Sequence, residues 1–379
     1  MQTEQDWLNF RAQFPSLNNR VYLNTAGGGA VSKRAAAAGI RYYKEAVSHA
    51  DTYWDVWLAH SDEVRQQIAG FIGTDADGVA FIQNTSLGFN LLARQFDRPL
   101  NVLALDREFP SCTTPWLAAG HQVEFFPALP DGSVSAEHLD KYIDSTTDVL
   151  VLSSVQFADG YRADIGTIGG LCRSRGILFI VDATQSICAF DIKMERDHID
   201  GLIFSGYKWA TAGYGNAVLA VNESVRDRKH GSGLVGWRSA REPYLLENNR
   251  IELTASAVRY EMGHPPFPSI FTLGEAIELF QEVGVPLVSA RILELSKRLR
   301  NRLIADGWKI ASDTEAQHGD SSISGITLIE TDDAAAIAAR LKEKNVWTSA
   351  RAGGIRVSVH AYNTESELDS FCEALGQNF

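Results

Sequence analysis

Leu178-Phe179-Ile180-Val181-Asp182-Ala183-Thr184-Gln185 and Gly201-Leu202-Ile203-Phe204-Ser205-Gly206-Tyr207-Lys208-Trp209 decide the fold of this chain. Each stretch opens with an apolar run of the length of a buried strand, and each run ends in side chains that carry chemistry. A strand apolar on both faces belongs in a sheet covered on both sides, the usual setting of parallel strands. Residues that directly follow such strands lie at the carboxyl end of the sheet, where open α/β proteins bind ligands. Taken singly, Asp182 reads as a turn or helix-cap residue, and Lys208 as an ordinary surface lysine. Taken together, Asp-x-x-Gln after one strand and Ser-Gly-x-Lys after the next form a specific arrangement. A lysine desolvated at such a strand end has a lowered pKa, which favours imine chemistry.

Outward from this pair, Val79–Ile82, Asn101–Leu105, Val123–Phe126, Val149–Leu152 and Ala217–Val221 also read as strands. Between them lie helical patterns, including Leu87, Leu91 and Phe96 near one face, Ser135–Ile143 and Ile165–Arg175. The alternation predicts an α/β fold with a mostly parallel sheet covered by helices. Past about residue 282 the pattern changes. Helices Pro286–Asp306 and Asp333–Lys344 flank shorter strands, Gly325–Ile329 and Ile355–Ser358. Thr364-Glu365-Ser366-Glu367 is a capping box that opens a final helix. We expect a large ligand-binding domain over 21–282 and a smaller α+β domain formed by 1–20 and 283–379.

Composition narrows the function classes. With 45% hydrophobic residues in 379, the chain can bury a large core. A formal net charge of −12 argues against a nucleic-acid partner. The basic stretch Arg226-Asp227-Arg228-Lys229-His230 reads as a solvated loop. Cys112, Cys172, Cys188 and Cys372 have neither the spacing of a disulfide framework nor that of a zinc site, so a reducing compartment is expected and no metal. The first residues are polar and acidic, unlike a signal peptide, and no apolar run reaches the length of a membrane span. These features predict a soluble, cytoplasmic protein without a membrane or nucleic-acid partner. Gly231-Ser232-Gly233-Leu234-Val235-Gly236 matches G-x-G-x-x-G literally. It lacks the preceding strand and following helix of a dinucleotide site, so the match is accidental.

Asn84-Thr85-Ser86-Leu87-Gly88 lies between a strand and a helix start, where free N–H groups and the helix dipole attract an anion. With this turn, the Asp-x-x-Gln and the Ser-Gly-x-Lys, the sequence resembles the class V aminotransferase family of fold type I pyridoxal 5′-phosphate (PLP) enzymes. That group includes cysteine desulfurases, kynureninase, isopenicillin N epimerase-like proteins and several C–S lyases. The resemblance runs from about Tyr22 to the C-terminus.

The resemblance implies PLP as cofactor, a small α-amino acid as substrate, and a homodimer with shared active sites. By it, Lys208 is the Schiff-base lysine, Asp182 pairs with the pyridine nitrogen, and Gln185 donates to the ring's phenolic oxygen. Thr85, Ser86 and Ser205, with Tyr207, belong to the phosphate site, although Asn84 stands where the family commonly has glycine. Phe109 is expected to stack on the ring, where desulfurases carry a histidine. His264 stands where the family often has threonine, in the segment that reaches the partner's phosphate. Arg356, in Gly354-Ile355-Arg356-Val357-Ser358, matches the carboxylate-binding arginine; its other reading is a strand arginine paired with an acid. Gln156 and the Asp159–Arg162 turn are expected at the ring's edge and the substrate pocket, and Asn24-Thr25-Ala26 at the entry to the site. No cysteine lies between Cys188 and Cys372, which disfavours a Cys-dependent desulfurase. The expected reaction is transamination or β-elimination; the alternatives are an epimerase and a catalytically silent PLP-binding homologue.

Overall fold

The computed structural model describes residues 3–226, 233–311, 319–351 and 353–376. Residues 227–230 of the basic stretch and Gly231 and Ser232 of the glycine motif lie outside the described residues. In chain order the strands are β1 (Val21–Tyr22), β2 (Val79–Ile82), β3 (Asn101–Leu105), β4 (Gln122–Phe126), β5 (Val149–Ser153), β6 (Leu178–Asp182), β7 (Gly201–Ser205), β8 (Ala217–Val221), β9 (Ile326–Glu330), β10 (Val346–Trp347), β11 (Ser349–Arg351) and β12 (Gly354–Ser358).

Seven strands form the main sheet in the order β2-β8-β7-β6-β5-β3-β4. The five from β4 to β7 are parallel, as the covered apolar runs predict. Strand β8 runs against both β7 and β2. An antiparallel neighbour needs no crossover helix, so the chain between β7 and β8 stays at the carboxyl end of the sheet. That connection carries Lys208.

Successive side chains of a strand point to opposite faces, and in β5 and β6 both faces are buried. Leu150 and Leu152 of β5 join one apolar layer with Phe179 and Val181 of β6. Val149 and Val151 join the opposite layer with Leu178 and Ile180. This is why the runs read as continuously apolar. The helix expected over 135–143 is shorter, Ala136–Asp140. Asp144 Oδ1 accepts hydrogen bonds from the backbone of Thr146 and Thr147 at 2.7 and 3.1 Å, and this turn ends the segment.

A second, antiparallel sheet has the order β11-β12-β9. Its Ile355 and Val357 pack on Leu295, Leu299, Leu341 and Phe371 from helices Val285–Ala305, Ala334–Glu343 and Glu365–Gly376. The capping box at 364–367 is formed, with Glu367 N donating to Thr364 Oγ1 and Thr364 N to Glu367 Oε2. By the two-residue period, Arg356 and Ser358 face the other way, toward the main sheet. There the Ala26 N–H donates to Ser358 Oγ at 2.9 Å.

Candidate active site

The carboxyl ends of β5, β6 and β7 open on one cleft, lined among others by Thr85, Ser86, Phe109, Asp182, Gln185, Ser205, Tyr207 and Lys208. Asp182 and Ser205 end β6 and β7, Gln185, Tyr207 and Lys208 lie two or three residues beyond those ends, Thr85 and Ser86 open one helix and Phe109 caps another. The helix Thr85–Ala93 begins at the cleft, and its cap is Asn84, whose Oδ1 accepts the Leu87 N–H at 2.9 Å. Asn84 has an extended backbone at φ −165°, which any residue adopts. The glycine common at this position in the family is therefore not required here.

Three hydroxyls meet at this helix start. Thr85 Oγ1 lies 2.5 Å from Ser205 Oγ and 3.1 Å from Thr184 Oγ1. The Thr85 N–H donates to Ser205 Oγ at 3.3 Å, and Ser86 Oγ pairs with Ser111 Oγ at 2.7 Å. Hydroxyls that now satisfy one another at a helix N-terminus can turn their protons to an anion at little cost. Thr184 was not among the residues expected from the sequence. Its signal was its place two residues after the strand-end aspartate.

Lys208 is 8% exposed. Burial lowers its pKa from 10.5 to about 8; Asp182 opposes the shift, and Arg356 and Arg351 add to it. Its Nζ lies 5.7 Å from the centre of the Phe109 ring and 5.5 Å from that of Tyr207. Phe109 packs edge-on against Phe157 at 5.2 Å and keeps 41% exposure. An aromatic face left partly open beside the lysine suits stacking on a flat ring.

Asp182 is held at both oxygens. Its Oδ1 accepts the Thr184 N–H at 2.8 Å, and its Oδ2 accepts from Cys112 Sγ at 3.3 Å. Burial and the carboxylates of Asp182 and Glu108 push the Cys112 thiol well up, so it stays a donor. Glu108 is buried beside it and accepts from the Ser153 N–H at 2.7 Å, Ser153 Oγ at 2.5 Å and Gln156 Nε2 at 2.8 Å. Its pKa is raised by burial, against the pull of these donors. The sequence carried no signal for Glu108, because only the packing of β5 against the segment after β3 brings it under the cleft. Gln156 Oε1 is buried without a hydrogen-bond partner among the described residues. Gln185 donates from Nε2 to the Ala26 carbonyl at 3.2 Å and accepts from Trp209 Nε1 at 2.8 Å.

Arg356 is 1% exposed, and among the described residues only its NH1 is bonded, to the Phe157 carbonyl at 2.7 Å. Among the described residues its Nε and NH2 are buried without partners. Burial and Arg351 lower its pKa to about 9. Among the described residues no acid pairs with it, so the ion-paired reading of this arginine is not what the structure contains. Ser349 Oγ donates to Asn24 Oδ1, and Asn24 bridges to Ser358, which sets Asn24 near Arg356.

Gln156, Asn24 and Arg356 are not among the residues that line the cleft, and two further expectations fall elsewhere. The Asp159–Arg162 turn does not line the cleft: Asp159 pairs with Arg107 at 2.5 Å, and the Tyr161 hydroxyl donates to the Val134 carbonyl at 3.0 Å. Gly160, at φ +83°, lies so close to Ile326 that a Cβ there would collide with it, which draws the turn to the second sheet. His264 lies outside the Lys208 cleft of its own chain. It sits in a separate surface pocket, with ring contacts to Trp54 at 5.5 Å and Trp237 at 5.1 Å.

The residues present fit PLP. They offer hydroxyls and a helix N-terminus for its phosphate, Asp182 for its ring nitrogen, Gln185 for its phenolic oxygen and an amine of lowered pKa for its aldehyde. The buried, unpartnered Gln156 and Arg356 atoms leave hydrogen-bonding capacity for a ligand.

Comparison with known proteins agrees with this architecture. The model of the family described as aminotransferase class-V matches residues 21–371. An uncharacterized aminotransferase, YcbU of Bacillus subtilis, is 25% identical over 95% of this chain and 94% of its own length. Among solved structures, the apo cysteine desulfurase of Thermococcus onnurineus superposes with a TM-score of 0.89 at 21% identity, covering 100% of this chain and 98% of its own. A lysine-to-alanine variant of C-DES with glycine covalently linked to its PLP cofactor superposes at 0.86 with 21% identity, over 97% of this chain and 98% of its own.

Proposed function

The chain belongs to the aminotransferase class-V family and is a PLP-dependent enzyme of fold type I, and from that premise we propose that it carries out transamination or β-elimination on a small α-amino acid. Arg356 carries this reading. A buried guanidinium with two nitrogens unpartnered and no acid beside it among the described residues calls for a carboxylate, which its planar fork binds with two parallel bonds.

In this proposal Lys208 binds the cofactor's aldehyde. Asp182 holds the proton on the ring nitrogen, with Cys112 and Thr184 fixing its two oxygens. Gln185 donates to the phenolic oxygen, while Thr85, Ser86 and Ser205 take the phosphate and Tyr207 closes that side. Phe109 covers one face of the ring. Bound PLP supplies an electron-accepting ring that stabilises negative charge at the substrate's Cα. Arg356 and Asn24 hold the substrate's carboxylate end, and Gln156 lies at the ring's edge. Once displaced from the cofactor, Lys208 Nζ takes the Cα proton; a pKa of about 8 suits an amine that must be neutral to accept a proton and charged to return it.

We rank a Cys-dependent desulfurase lower, because all four cysteines are buried and the one at the site, Cys112, is engaged with Asp182. The reading takes residues 21–282 as the cofactor-binding domain and 1–20 with 283–379 as the smaller one. It also takes the enzyme as a cytoplasmic homodimer, with His264 reaching the partner's phosphate. Exposed apolar side chains such as Tyr43, Val47, Tyr214, Tyr244 and Leu246 support an interface. Among the described residues no helix is long and apolar enough to cross a membrane.

The test is a titration of the PLP-loaded protein with single amino acids, followed by visible absorption and product analysis. A spectral change with one amino acid, together with pyridoxamine phosphate or a 2-oxo acid plus ammonia, supports the proposal and selects between its two reactions. An inverted amino acid as sole product turns the assignment to an epimerase. A spectrum indifferent to every amino acid refutes the proposal.

A further inference from the structure

The terminal amide of a glutamine has nearly the same shape when its oxygen and nitrogen are exchanged, so its direction is set by its partners. Among the described residues Gln185 has two partners, and each is one-way. The indole N–H of Trp209, 2.8 Å from Oε1, can only donate. The carbonyl of Ala26, 3.2 Å from Nε2, can only accept. Both demand the same orientation. One proton of Nε2 goes to Ala26, and the other is left for the cleft that Gln185 lines with Lys208.

Trp209 is itself fixed. It is fully buried and stacks on the His360 ring at 5.7 Å and 28°, and His360 stacks on Tyr362 at 4.3 Å. A Cβ on Gly325 would collide with its six-membered ring, so the indole lies flush against that backbone. It directly follows Lys208 in the chain, so one segment supplies both the amine and the group that orients the neighbouring amide.

We propose that Trp209 is a positioning residue whose indole N–H locks the Gln185 amide so that an N–H, and not the carbonyl oxygen, faces the phenolic oxygen of PLP. The proposal rests on the assignment of Gln185 to that oxygen. Without the indole, only the 3.2 Å bond to the Ala26 carbonyl holds the amide against turning its oxygen toward an anionic oxygen, which repels it. A donor to an anionic ring oxygen favours the form of the bound cofactor that has lost its proton; when the donor is lost, the proton is held to higher pH.

The experiment is a pH titration of the visible absorption of the PLP-loaded protein, for wild type, Trp209→Phe, Gln185→Leu and the double variant. Trp209→Phe keeps an aromatic ring but lacks the N–H. Site-specific replacement of Trp209 by 3-benzothienylalanine, which keeps the bicyclic shape and exchanges N–H for sulfur, serves if the phenylalanine variant does not fold. We expect Gln185→Leu to raise the midpoint by about one pH unit, a ten-fold change in proton affinity. Either Trp209 replacement moves it in the same direction, and the double variant moves no further than Gln185→Leu. If Gln185→Leu shifts the midpoint but neither Trp209 replacement does, the positioning role is refuted and the Gln185 assignment stands. If Gln185→Leu leaves the midpoint of a PLP-loaded protein unchanged, the Gln185 assignment fails and the Trp209 proposal falls with it.

Discussion

Replacing Lys208 by methionine should stabilise the protein freed of PLP, although it removes the proposed attachment point of the cofactor. The magnitude comes from the site. Burial brings the lysine from 10.5 to about 8, a difference that corresponds to about 3 kcal/mol of unfavourable free energy for its charged form in the folded chain. Below about 8 the lysine is charged in both the folded and unfolded chain, and the full cost is present. Between about 8 and 10.5 the unfolded chain binds the proton and the folded chain does not, so stability rises with pH. Above 10.5 the lysine is neutral in both states and its cost is gone. Methionine has a similar length, packs flexibly and carries no charge. The assay is urea unfolding of the apo-protein, followed by tryptophan fluorescence, at pH 7 and across the alkaline range. At pH 7 Lys208→Met should unfold at higher urea than wild type, by up to about 3 kcal/mol, and the gap should narrow as the pH passes 8 toward 10.5. Equal or lower stability of the variant at pH 7 would show that Nζ is not a desolvated cation, and the reasoning about its chemistry would fail with it.

Three further outcomes follow from the same geometry. Capture of PLP by the apo-protein needs the neutral amine, so its rate, read by stopped-flow absorption, should rise as pH passes about 8; in Arg356→Gln the rise should move to higher pH, since Arg356 adds to the lowering. Arg356→Gln should also weaken amino-acid binding roughly 10- to 100-fold through loss of charge-assisted hydrogen bonds, with PLP affinity little changed; Arg356→Lys should restore little of it, because an ammonium lacks the planar fork. A Cβ on Gly206 would collide with Asn216 Oδ1 and Leu273 Cδ1, so Gly206→Ala should destabilise the protein by about 1–3 kcal/mol and lower its PLP affinity by displacing the segment that carries Lys208, as thermal melts and PLP titration would show.

Some of the site was legible in sequence because a strand's end is also an address. Apolar runs with two buried faces imposed the main sheet, and residues just past such runs had to lie at its carboxyl edge. Asp182 and Lys208 were singled out by that rule, and the turn at Thr85 and Ser86 by the helix start after β2; the roles of Gln185, Ser205, Thr85 and Ser86 came from the family resemblance. Arg356 could be assigned to a strand but not given a partner, because its solitude depends on which acids the rest of the chain leaves nearby. The Asp159–Arg162 turn was misplaced for a related reason. Its direction is set by the close approach of Gly160 to Ile326, a contact between residues far apart in sequence.

By itself, then, the sequence determined the α/β class, the sheet's composition and the identity of the side chains at its functional edge, since these depend on local periodicity and strand ends. Only the tertiary structure decided how those side chains are charged and oriented. It is packing that desolvates Lys208, brings Glu108 and Cys112 beneath Asp182, leaves Arg356 without an acid among the described residues and sets the indole of Trp209 against Gln185. Burial and hydrogen-bond direction are properties of neighbours in space, and those neighbours come from segments that no local pattern connects.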